Sequence, residues 1–161
     1  MSGKVVGASL LLLACALSCG GSIMEKRRAI RLAEAFAAAL YRMEGMIRWQ
    51  NLPLPRVLEQ ESQISPCGEY FSKIFQYMKS ECTLHSSWQK TFTAIPEKGT
   101  RELLCRLDLR GDAQQIMGAL HLTAEELRAH AAAMAQRQRQ NERLWVAVSG
   151  CMTAVLIIVL I

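Results

Sequence analysis

The chain of 161 residues carries 19 Lys and Arg against 14 Asp and Glu, a formal charge of +5 and a pI near 9.0. That balance raises nucleic acid as a partner, but the central bases are interleaved with acids, so no nucleic-acid binding is expected. The six cysteines contain no CxxC pair and suggest neither a disulfide framework nor a zinc site, which excludes the small disulfide-stapled class.

Residues 5–24 contain no charge and are about as long as a bilayer-spanning helix requires. A cleaved signal peptide or a lipoprotein signal lipidated at Cys15 are the competing readings, since Leu12–Cys15 reads LLAC. Only Lys4 precedes the run, and Glu25, Lys26, Arg27 and Arg28 follow it directly; a basic exit resists translocation and marks the cytoplasmic side. A retained helix over residues 1–24 is therefore expected.

Residues 25–143 read as one helical domain. Leu32, Phe36, Ala39, Met43 and Met46 recur at steps of four and three, with Leu40 and Ile47 widening the stripe. Asn51-Leu52-Pro53-Leu54-Pro55 ends that helix, and Pro55 suits the first position of a short helix over 55–62. A turn at Ser65-Pro66-Cys67-Gly68 precedes a helix over 69–82 with Phe71, Ile74, Phe75 and Met78 on one face. A further short helix over 85–94 carries Trp88 and Phe92 and is closed by Pro96 and Gly99. Residues 100–109 form an amphipathic piece with Leu103, Leu104 and Leu107. Arg110-Gly111-Asp112 interrupts it, and Asp112 can cap a helix starting at Ala113. Thr123 to Glu126 has the form of a capping box, so either a second start there or one continuous helix is possible.

Residues 144–161 are again uncharged, with Arg143 and Trp145 at the polar end as an interfacial anchor would have them. Both apolar runs have their basic flank on the central side, Lys26, Arg27, Arg28 and Arg31 for the first, Arg137, Arg139 and Arg143 for the second. The expected arrangement is a two-pass hairpin in the cell membrane with residues 25–143 cytoplasmic.

No Gly-rich phosphate loop, GxSxG, HExxH or Cys–His catalytic motif occurs, so neither an enzyme nor a cofactor or small-molecule substrate is expected. His85, His121 and His130 are isolated in sequence, and the CxxH spacing of Cys82 and His85 is only half a metal site.

The joint spacing of several segments resembles the stage III sporulation protein AB family of endospore-forming bacteria. They are Met43-Glu44-Gly45-Met46-Ile47, Leu52-Pro53-Leu54-Pro55-Arg56-Val57-Leu58, Leu109-Arg110-Gly111-Asp112-Ala113-Gln114-Gln115 and Asn141-Glu142-Arg143-Leu144-Trp145, followed by the terminal apolar run. The resemblance implies an all-α protein, a helical-bundle cytoplasmic domain flanked by two transmembrane helices and similar to type II secretion F-type domains. It implies a structural component of the complex linking mother cell and forespore, with the complex's cytoplasmic ATPase and its other membrane proteins as partners. A generic anchored scaffold of a secretion or pilus-type platform is the alternative. The preferred contact residues are Glu44, Ile47, Trp49, Pro53, Leu54, Asp112 and Gln115. For Trp49, packing into the bundle is the expected fate, and partial exposure is what docking would require.

Overall fold

In the computed structural model the described residues form six α-helices and no strand: α1 (Ser2–Gln50), α2 (Leu54–Glu61), α3 (Gly68–Lys79), α4 (Leu84–Phe92), α5 (Lys98–Arg106) and α6 (Ala113–Leu160). The backbone is described over residues 2–160 apart from 65, 81 and 82, and side chains over 24–142, with the same exceptions, and at Val148. Among the described residues no helix is long and apolar enough to cross a membrane. The runs 5–24 and 144–161 lie outside the described side chains except for Met24 and Val148, as do Cys15 and Cys82.

The frame is the antiparallel pair α1 and α6. Tyr41 on α1 meets Glu125 on α6, Glu44 meets His121 and Arg27 meets Glu142, so sequence position rises along one helix as it falls along the other. Both apolar runs consequently leave from one end of the pair, and the short helices gather toward the other. Most of the stripe on α1 is buried: Phe36, Ala39, Leu40, Met43 and Ile47 join Leu120, Ala124 and Leu127 of α6 in the core, while Leu32 and Met46 are half buried against it.

The short helices close the core through aromatic rings. Phe36 stands edge-on to Phe92 at 5.4 Å and to Phe71 at 6.3 Å, and Trp88 meets Phe92 at 4.5 Å, separations at which edge-to-face pairs add to simple burial. Trp88 is fully buried, and its indole Nε1 donates to the Leu104 carbonyl at 2.8 Å, so α4 is tied to α5 without leaving a polar group stranded. Phe75, expected on the inward face of α3, is only half buried, with the Lys79 ammonium 5.1 Å from its ring centre.

Helix ends differ from the sequence reading where two signals compete. Pro53, not the residue before Pro55, is the N-cap of α2, and its carbonyl accepts from the backbone of Arg56 and Val57. Gly99 does not close α4. It lies in the first turn of α5, where the Glu97 carboxylate caps the amides of Gly99 and Thr100. The piece over 100–109 stops as helix at Arg106; Leu107 is extended and Leu109 lies beyond the helix, both buried. The second helix start at Thr123 is not used: α6 runs through, with Thr123 itself buried.

Candidate docking face

The seven residues singled out in the sequence fall in three groups. Glu44 and Ile47 continue the buried stripe of α1. Glu44 has only 7% of its side chain exposed, forms an ion pair with Arg48 Nη2 at 2.7 Å and pairs with His121 Nδ1 at 2.9 Å. Its carboxylate thus joins α1 to α6, and the neighbouring Tyr41 hydroxyl donates to Glu125 while its ring stands edge-on to His121. An arginine and a histidine partner keep a buried carboxylate tolerable, so Glu44 belongs to the seam between the long helices.

Trp49 lies two residues beyond Ile47, about 200° round a helix with 3.6 residues per turn, and so points away from the core. It is 81% exposed, against the expectation that it packs into the bundle. Two residues on, Asn51 follows the last residue of α1 in the left-handed region at φ 48, a conformation asparagine tolerates better than most side chains. Leu52 N donates back to the Met46 carbonyl at 3.5 Å, Pro53 is extended and exposed, and Leu54 is half buried against the core. The turn is therefore pinned on its inner side by Leu54 and presents Trp49 and Pro53 outward.

Asp112 and Gln115 open α6. The Asp112 carboxylate accepts from Gln115 N at 2.8 Å, which caps the helix as its position suggested. Gly111 holds φ 114, a backbone conformation that side-chain-bearing residues rarely adopt, and the Gln115 carboxamide folds over it. Both side chains are exposed. Because α1 and α6 run antiparallel, the end of α1 and the start of α6 share one end of the molecule, so Trp49, Pro53, Asp112 and Gln115 are offered at the end away from the apolar runs.

Three interactions that sequence reading missed tie the helices to one another. Arg42 grips the buried Glu61 of α2, and Glu97 pairs with His130 at 3.3 Å and His121 with Glu44. His121 and Glu125 stand four apart on α6, a spacing that puts them on one face, but nothing local names the helix they meet. Among the described residues no group of three or more His, Cys, Asp or Glu is placed to hold a metal ion. The face consists of a bare indole, a rigid proline turn and a capped helix start, which suits contact with another protein surface.

Residues 4–161 match the family model described as Stage III sporulation protein AB (spore_III_AB). Neither a curated protein nor a solved structure gives a significant match to the chain.

Proposed function

The chain belongs to the stage III sporulation protein AB family, which gives it a role in stage III of sporulation, and on that premise we propose that it is a structural membrane platform. In this reading the apolar runs 5–24 and 144–161 hold the chain in the mother-cell membrane around the forespore. The helical body faces the cytoplasm and docks the cytoplasmic ATPase of the sporulation complex; the likeness to type II secretion F-type domains belongs to the same reading. It is an assembly component and not a catalyst.

One observation carries the proposal. The antiparallel pairing of α1 and α6 brings both uncharged runs to one end, each bordered on its central side by its basic flank, and leaves Trp49 bare at the other. Residues 25 to 49 of α1 measure about 37 Å at a 1.5 Å rise per residue, so a partner meeting Trp49 is held at a set height and at high local concentration.

Replacement of Trp49 and Pro53 by alanine in the full chain tests the docking. ATPase recruitment to membranes is expected to fall about tenfold or more, as for an exposed aromatic anchor, while the helical signal stays unchanged. Full recruitment by the folded variant would refute the docking role. Protease digestion of residues 25–143 in sealed, right-side-out vesicles would refute the orientation.

A further inference from the structure

Between α1 and α6, where they approach the two apolar runs, a cleft of about 220 Å³ is lined by Arg27, Ile30, Ala135, Gln138, Arg139 and Glu142. Its charges do not cancel: two guanidinium groups face one carboxylate, leaving one positive charge. Arg27 Nη2 donates to Glu142 Oε1 at 2.8 Å, which uses one of five guanidinium donors. Among the described residues Arg139 has no acceptor. Gln138 is nine-tenths buried; its Nε2 donates to Glu142 Oε1 at 3.1 Å, which tells the amide nitrogen from the oxygen and leaves Oε1 with no donor. A buried acceptor without a donor is uncommon and calls for a missing partner.

The position of the cleft names the class of that partner. Arg27 is three residues from Met24 and Glu142 two from Leu144, so the cleft begins about 3–5 Å beyond the apolar runs at helical rise. The headgroup layer of a bilayer is about 5–8 Å deep on each side of the hydrocarbon. The cleft therefore lies at headgroup depth if the runs are inserted, an inference that rests on the membrane reading above.

We propose that this cleft binds the headgroup of an anionic glycerophospholipid of the phosphatidylglycerol type. The phosphodiester sits between Arg27 and Arg139, one negative charge against the one left over, through the charge-assisted bonds that guanidinium makes to phosphate. The headgroup hydroxyl donates to Gln138 Oε1 after a small rotation of the carboxamide. A zwitterionic headgroup leaves the surplus charge unmet, and a soluble anion lacks the anchoring that holds it at this depth.

The test uses the full chain reconstituted in nanodiscs of phosphatidylcholine into which phosphatidylglycerol or phosphatidylethanolamine is titrated, with retained lipid read by native mass spectrometry. Phosphatidylglycerol is expected to be retained selectively. Arg139→Gln is expected to weaken its retention about tenfold, the usual loss for one charge-assisted bond. Glu142→Gln, which raises the surplus charge, is expected to strengthen retention if both variants keep the wild-type helical signal. Equal retention of the two lipids, no change in Arg139→Gln, or equal competition by inorganic phosphate overturns the assignment. Alkaline extraction separates the two levels: a chain that stays in phosphatidylcholine discs but shows no lipid preference loses the headgroup site alone. A chain extracted from every disc loses the membrane reading and the site with it.

Discussion

Arg42 on α1 reaches the buried carboxylate of Glu61 on α2 with two nitrogens, at 2.9 and 2.8 Å. The Glu61 side chain is 1% exposed and that of Arg42 40%, so the pair is anchored in the core at one end and wet at the other. Removing the arginine leaves a buried charge without a counterion, whereas removing both partners leaves only a cavity. Arg42→Ala is expected to destabilise the full chain by about 2–3 kcal/mol, somewhat below the loss for a wholly buried pair. Arg42→Met with Glu61→Leu is expected to recover most of it. Urea unfolding followed by helical signal checks both.

Gly68 starts α3 against the backbone of α2: a Cβ at this position would lie 2.5 Å from the Ser62 carbonyl oxygen. Backbone cannot step aside as a side chain can, so Gly68→Ala is expected to cost about 1–3 kcal/mol through forced displacement of the turn. Gly99 offers the contrast, because its Cβ would meet the His130 ring, a side chain and not backbone. Gly99→Ala is expected to be partly rescued by His130→Ala, and Gly68→Ala by no single side-chain truncation. Melting temperatures of the four variants decide the matter.

Burial works against the Glu97 charge, but hydrogen bonds from Thr100 and Gly99 and the nearby His130 outweigh it and bring the carboxyl from 4.5 down to about 2. A carboxyl whose value is lowered by folding stabilises the fold above its unfolded value and loses that contribution as pH falls through the folded one. Glu97→Ala is expected to cost about 1 kcal/mol at pH 7, a typical cap loss. The gap between variant and wild type is expected to narrow below pH 4.5 and to close near 2. Unfolding midpoints across that window test it.

Burial pushes the Cys67 thiol up to about 12, with the Arg42 charge opposing and the Glu61 charge adding to the shift. The thiolate is the reactive form, so Cys67 is expected to resist alkylation at pH 8 until the chain is unfolded, while the half-buried Cys105 is modified earlier. Peptide mass mapping after timed labelling distinguishes the two. Labelling of Cys67 at the rate of Cys105 in the folded chain would overturn this account.

The parts of the fold legible in the sequence were those set by short-range pattern. The stripe from Leu32 to Ile47 and the cap at Asp112 follow from helical spacing and from one residue's own hydrogen bond. Boundaries failed where neighbouring residues offered equal signals, as with Pro53 and Pro55, or where buried leucines continued past a helix end, as with Leu107 and Leu109. The outward turn of Trp49 was available from its offset from Ile47, but the bias toward burying tryptophan outweighed it. Pairs such as Glu44 with His121, 77 positions apart, depend on how the long helices meet, and a single sequence carries no local mark of that. Sequence alone marks the candidate face as a stretch of chain, and the fold separates the residues it exposes, Trp49 and Pro53, from those that hold it together, Glu44 and Ile47.

The long pairing of α1 and α6 also makes the body a lever. With about 37 Å of helix between residue 25 and Trp49, a tilt of about ten degrees at the base sweeps the indole sideways by about 6 Å. A slight change in how the base is seated would thus move the far tip by more than the width of a side chain, so leverage alone can relay a small displacement at the base.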